Sequence, residues 1–217
     1  MVAKPLAFYK CNQFWQVIPS LADTRAPAAF IDRDGVINED RGYVGHITDF
    51  AYLAGAIHGL RQIRGLGYRL VVVTNQAGIA RGLYTEEDFQ ILTHYMITSL
   101  RDEGVTLDGI YHCPHHPAAV IDKYRLQCQC RKPAPGLLYQ AREDLGLDLA
   151  RSILIGDKLT DIGAGRAAGL WRCFLVRSGH HLKTQDIEQA DQCFEDLGAA
   201  ATWLSHHWPI LSIQGDS

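Results

Sequence analysis

The chain has 217 residues, enough for one well-buried α/β domain, and its 24 acidic residues nearly balance 21 basic ones. That balance lacks the electrostatic footprint of a nucleic-acid or anionic-membrane binder, so the expected partner is a small molecule; a monomer is expected. No apolar run reaches the roughly 18 residues that span a bilayer, and Lys10, Asn12, Gln13 and Gln16 interrupt any signal-peptide core, so the protein reads as cytoplasmic.

Residues 1–26 read as an irregular extension with Pro5 and Pro19 and no clear period. From 27 to 217 a single domain is expected. Ala28-Ala29-Phe30-Ile31 is a short apolar run that stops at an acidic turn, and a helical stretch follows from about Gly55 to Arg64. Arg69-Leu70-Val71-Val72-Val73 suits a strand covered on both faces. Thr85 and Asp88 are spaced as a capping box, and Phe89, Leu92, Met96 and Leu100 recur at helical spacing up to about Glu103. Gly109 to His112 reads as a strand, Leu137, Leu138, Ala141 and Leu145 as a helix, and Ser152 to Ile155 and Cys173 to Val176 as two more strands. This alternation predicts a Rossmann-like, doubly wound parallel sheet flanked by helices. The interval from Asp34 to Thr74 leaves no room for a large cap domain.

In such sheets ligands sit beyond the carboxyl ends of the strands, so the polar residues after each run carry the interest. The first run ends in Asp32-Arg33-Asp34-Gly35. Carboxylates two residues apart project to one side, so Asp32 could attack phosphorus while Asp34 protonates the leaving oxygen and later activates water. Alone, this pattern is also good turn chemistry or part of a Ca²⁺ loop. The second run ends in Thr74-Asn75-Gln76-Ala77-Gly78, whose hydroxyl, amide and backbone N–H groups could hold phosphate oxygens, or form an ordinary polar loop. Lys132, otherwise a surface charge, could neutralise a transferring phosphoryl group, and Asp157 after the fourth run is a natural Mg²⁺ ligand beside Asp32.

These four loops, in this order, resemble the haloacid dehalogenase (HAD) phosphatase superfamily. The resemblance implies catalytic Mg²⁺ held by Asp32, Asp157 and the Asp34 backbone carbonyl, with Thr74 and Lys132 stabilising the phosphoryl group and Asp161 supporting the site.

Between Thr74 and Lys132 lies Cys113-Pro114-His115-His116-Pro117, followed by Cys128-Gln129-Cys130. Soft ligands at close spacing on either side of a loop match a closed, structural Zn²⁺ site of Cys113, His115, Cys128 and Cys130, at about 113–130. His116 competes for the imidazole position, and disulfides or merely buried thiols are the plainer readings. A reducing compartment favours the metal. Cys11, Cys173 and Cys193 stand apart as packing or surface residues.

The zinc loop, Asp32-Arg33-Asp34-Gly35, Arg41-Gly42-Tyr43-Val44, Thr74 to Gly82 and Cys130-Arg131-Lys132-Pro133 together resemble one narrower family, from about Pro27 to Leu197: the D-glycero-D-manno-heptose-1,7-bisphosphate 7-phosphatases. That family acts on the way to nucleotide-activated heptose for lipopolysaccharide and related glycans. The resemblance implies a phosphorylated sugar substrate lined by Asp40, Arg41, Gly42 and Tyr43, a phosphate loop that includes Asn75, Gln76 and Ala77, and recognition by Arg131 and Lys158. A guanidinium at Arg131 would suit a second phosphate. Val36 stands where the family commonly has Thr, and the N-terminal extension has no obvious counterpart. A histidinol-phosphate phosphatase and a catalytically inactive, zinc-stabilised binding module are the alternative readings.

Overall fold

A computed structural model describes residues 14–16 and 26–207. The strands are β1 Phe14–Gln16, β2 Ala28–Ile31, β3 Arg69–Asn75, β4 Gly109–Cys113, β5 Ile153–Gly156, β6 Arg172–Val176 and β7 Gln192–Phe194. They form one sheet in the order β1-β4-β3-β2-β5-β6-β7, parallel throughout except for β1, which runs antiparallel to β4. Phe14–Gln16 is thus an edge strand inside the stretch that reads as irregular. The remainder of that stretch up to residue 25 lies outside the described residues.

Alternation along the central strands sorts side chains onto two cores. Ala29 and Ile31, Leu70 and Val72, Ile153 and Ile155, and Phe174 and Val176 face one; Ala28 and Phe30, Val71 and Val73, Leu154, and Cys173 and Leu175 face the other. Helices α1 Ala56–Gly65, α3 Glu86–Asp102 and α7 Leu197–His207 contribute to the first core, and α4 Gly136–Leu145 and α5 Leu159–Ala168 to the second. The short helices α2 Ala77–Ala80 and α6 Thr184–Ile187 complete the set described. Each large apolar side chain so buried contributes roughly 1.5–3 kcal/mol. The capping box on α3 is formed: Thr85 N–H donates to Asp88 Oδ2 at 2.8 Å and Asp88 N–H to Thr85 Oγ1 at 3.0 Å.

Two elements are less legible in the sequence. α5 is rich in Gly and Ala, so it lacks apolar contrast. A Cβ added at Gly165 would lie 2.4 Å from Cys173 Sγ, which shows how closely this helix seats on the sheet. α7 begins Leu197-Gly198-Ala199-Ala200-Ala201 and is similarly muted.

From β2 the chain proceeds outward through β3 and β4; from β5 it proceeds to the other side through β6 and β7. Strand order therefore reverses between β2 and β5, and a crevice opens there at their carboxyl ends. Between β2 and β3 the helical elements are a 3-10 turn, Ile47–Asp49, and α1, so among the described residues no cap domain is inserted there over the crevice. No helix among the described residues is long and apolar enough to cross a membrane.

Candidate active site

Asp32 leaves β2 at the reversal point, its N–H donating to the Ile155 carbonyl of β5 at 3.0 Å. Its Oδ1 lies 3.1 Å from Lys132 Nζ and accepts from the Arg33 N–H at 2.8 Å. Burial pushes the Asp32 carboxyl up to about 7; Lys132 and Lys158 pull the other way, while Asp161 and Asp157 add to the rise. Lys132 is itself buried. Desolvation works against its charge, yet Asp161 and Asp32 outweigh that and hold the ammonium protonated above its ordinary range.

Lys132 is anchored from several sides. Its Nζ donates to the Val73 carbonyl at 2.8 Å and pairs with Asp161, and its backbone N–H and C=O bond the Asn75 side-chain amide, each at 3.1 Å. Gln76 joins the remaining parts, its Nε2 lying 2.8 Å from Thr74 Oγ1 and 3.0 Å from Asp34 Oδ2. Asp34 Oδ1 also accepts from Arg33 at 2.9 Å and from Asn38 Nδ2 at 3.0 Å. Arg33, which the sequence does not single out, is only 1% exposed, sits over the Phe89 ring at 5.5 Å and fixes Asp34 in place. The Gln76 backbone N–H, read as one of the free donors of the phosphate loop, is instead taken by the Cys113 carbonyl at 2.8 Å.

Asp157 follows β5 and is fully buried. Desolvation raises its carboxyl pKa, against the pull of Lys158 and His180. Oδ2 is 2.7 Å from His180 Nδ1 and 3.7 Å from Lys158 Nζ, whereas the buried Oδ1 has no hydrogen-bond partner among the described residues. Asp32, Asp157 and Asp161 each bring an oxygen within 4.8 Å of the others. An orphaned carboxylate oxygen among crowded carboxylates fits a hard divalent cation, which takes oxygen ligands. Two glycines allow this crowding: a Cβ on Gly35, whose φ is +84°, would lie 2.5 Å from Asp157 Oδ2, and one on Gly179 would lie 2.1 Å from it.

A cleft of about 650 Å³ opens beside these groups. Asp34, Asp40, Gly42, Tyr43, Asn75, Gln76, Ala77, Arg131 and Lys158 line it, together with Arg81, Tyr84, His116, Thr160, His180 and His181. Asp40 Oδ2 is 3.2 Å from Lys158 Nζ, and Gly42 N–H donates to Asp40 Oδ1 at 3.0 Å. Burial would raise the Asp40 carboxyl, but Gly42 and Lys158 hold it below the usual range. Tyr43 has φ +60° and lies 5.5 Å beneath the Arg81 guanidinium. Arg41 alone of the sequence candidates turns elsewhere, pairing at 2.7 Å with Glu39 while both stay about half exposed. His180 and His181 escape the sequence reading because nothing in their local pattern marks them, and Arg81 lies within the Thr74 to Gly82 motif without being given a role there.

At the end of β4, Cys113, His115, Cys128 and Cys130 cluster with their ligand atoms all within 4.8 Å. The thiols are free, with Sγ···Sγ separations of 3.2–3.4 Å, and His115 Nδ1 is 3.5 Å from Cys130 Sγ and 3.7 Å from Cys113 Sγ. A tetrahedron with ~2.3 Å zinc–sulfur arms has edges of roughly 3.7 Å, close to this arrangement. Hydrogen bonding to Cys113 and burial raise the Cys130 thiol, so thiolates there call for a cation. His116 is outside the cluster, its Nδ1 accepting from the Ala118 N–H at 3.0 Å.

A HAD-hydrolase-like family model matches residues 129–200. The chain is 49% identical over 152 residues, 70% of its length and 83% of the relative's, to a D-glycero-alpha-D-manno-heptose-1,7-bisphosphate 7-phosphatase of Photorhabdus laumondii. It is 47% identical over 171 residues, 79% of its length and 91% of the relative's, to the beta-anomer enzyme of the same organism. In structure it is similar to the D,D-heptose 1,7-bisphosphate phosphatase of B. bronchiseptica complexed with magnesium and phosphate, with TM-score 0.71 and 30% identity over 83% of this chain and 98% of that one.

Proposed function

Because this chain belongs to the heptose-1,7-bisphosphate 7-phosphatases of the HAD superfamily, we propose that it hydrolyses the 7-phosphate of D-glycero-D-manno-heptose 1,7-bisphosphate through a phosphorylated Asp32. A Mg²⁺ ion held by Asp32, Asp157 and the Asp34 carbonyl would neutralise charge on the phosphoryl oxygens. Asp32 forms a P–O bond as the ester P–O bond breaks, and Asp34 gives its proton to the departing sugar oxygen. Asp34 then takes a proton from water as that water attacks phosphorus, releasing inorganic phosphate and freeing Asp32. Lys132 and Thr74 balance and hold the phosphoryl oxygens, while Arg33, Asn38 and Gln76 keep Asp34 oriented.

The observation that supports this reading best is the meeting of Asp32, Lys132, Asp157 and Asp161 at the β2/β5 reversal, with Asp34 and Thr74 joined through Gln76. The test is phosphate release with Mg²⁺ from the heptose bisphosphate, histidinol phosphate and fructose 1,6-bisphosphate. The heptose substrate is expected to have the highest kcat/KM, and Asp32→Asn, whose amide cannot attack, to release none. Both heptose anomers belong in that assay, since relatives named for each match this chain almost equally.

Arg131 lines the cleft, and its guanidinium makes one described hydrogen bond, to the His115 carbonyl at 3.1 Å. This favours a substrate with a second phosphate. Arg131→Ala is expected to reduce kcat/KM for the bisphosphate by about tenfold or more while sparing a monophosphate, on the scale of one lost charge-assisted contact. Equal losses on both would count against the bisphosphate.

A further inference from the structure

The loop after β6, Arg177 to Lys183, is not part of any motif singled out above, yet it reaches the centre of the site. Ser178 Oγ donates to the Gly35 carbonyl at 2.8 Å, which fastens this loop to the turn after Asp34. Gly179 packs its backbone on Asp157, and the next residue, His180, brings Nδ1 to 2.7 Å from Asp157 Oδ2.

We propose that His180 is a positioning residue, whose Nδ1–H holds Asp157 Oδ2 so that Oδ1, the oxygen without a protein partner, is presented to the divalent cation. The inference rests on the reading that this site holds such a cation. A carboxylate that ligates through one oxygen commonly has the other held by a hydrogen-bond donor, and loss of that donor weakens metal binding.

Alternatives for Oδ2 are few. Lys158 Nζ is 3.7 Å from it and closer to Asp40, at 3.2 Å, so the ammonium is shared. Asp40 Oδ2 itself lies 3.7 Å from His180 Nδ1, beyond hydrogen-bond distance. His180 makes the short contact, and its side chain is 48% exposed on the cleft, so replacing it removes little packing.

The test is Mn²⁺ binding by the full chain in Mg²⁺-free buffer, read from the loss of the free-ion EPR signal, with zinc content and Tm measured alongside. His180→Ala is expected to bind Mn²⁺ roughly 10- to 100-fold more weakly, with zinc content and Tm unchanged. His180→Asn places an amide N–H near the position of Nδ1 and is expected to restore affinity to within about threefold of wild type. His180→Ala binding as tightly as wild type, Asn failing to rescue, or a parallel fall in Tm or zinc would each overturn the assignment. Wild-type protein that binds no Mn²⁺ displaceable by Mg²⁺ would instead sink the cation site itself.

Discussion

Asp32 sits where a carboxylate is costly to bury, and that cost can be measured. Its folded pKa, about 7, lies above the ordinary 3.8, so between those values the folded protein binds more protons at this site than the unfolded chain does. Its contribution to stability therefore falls as pH rises across that window, with a slope of at most about 1.4 kcal/mol per pH unit. The buried imidazole of His112, held down to about 4, works in the opposite sense over an overlapping range, so the wild-type curve mixes the two. The difference between Asp32→Asn and wild type isolates the carboxyl. In metal-free buffer the variant is expected to gain Tm on wild type steadily from pH 5 to about 7 and to hold that gain above; a pH-independent difference would contradict the burial argument. At this scale much of the site is legible in sequence, because Asp32, Asp34, Thr74, Lys132 and Asp157 each follow an apolar run or a marked motif. Arg33 and His180 are not legible. Their roles come from contacts with Asp34 and Asp157, and the second of these is 23 positions distant in the chain.

Among the elements, the loop between β4 and α4 does two separable jobs. Cys130 is followed directly by Arg131 and Lys132, yet the two cations are supported differently. Arg131 hangs from the carbonyl of His115, a member of the thiol and imidazole cluster. Lys132 is held by the Val73 carbonyl, the Asn75 amide, Asp32 and Asp161, none of which belongs to the cluster. Wild-type protein is accordingly expected to hold about one zinc per chain, and Cys128→Ser to hold less and to have a lower Tm, since metal binding is coupled to folding. The variant should also raise KM for the bisphosphate by about tenfold while kcat changes less. Elemental analysis with steady-state kinetics checks this, and a loss confined to kcat would show that the cluster supports Lys132 instead. Strands β2 to β6 and α3 are readable because apolar runs and a capping box mark them. β1, β7, α5 and α7 are not, since β1 and β7 are three-residue edge strands and the two helices carry many small residues suited to close packing.

For the molecule as a whole, the sheet's reversal gathers Asp32, Asp34, Asp40, Asp157 and Asp161 around Arg33, Lys132 and Lys158, leaving carboxylates in excess. Both hydrophobic cores must form before these charges meet, so a cation bound there recognises the folded chain and not the unfolded one. Such binding stabilises by mass action, about 2.7 kcal/mol at a hundredfold excess over Kd. For a chain of this size that corresponds to a Tm rise of roughly 5–10 °C. Mg²⁺ is therefore expected to raise Tm in a concentration-dependent way that saturates, whereas monovalent salt at matched ionic strength leaves it nearly unchanged. Asp157→Asn keeps the side chain's shape but removes the charge beside the orphaned oxygen, and its Mg²⁺-dependent rise should fall below half that of wild type. An undiminished rise in that variant would place the stabilising cation somewhere other than the β2/β5 crevice.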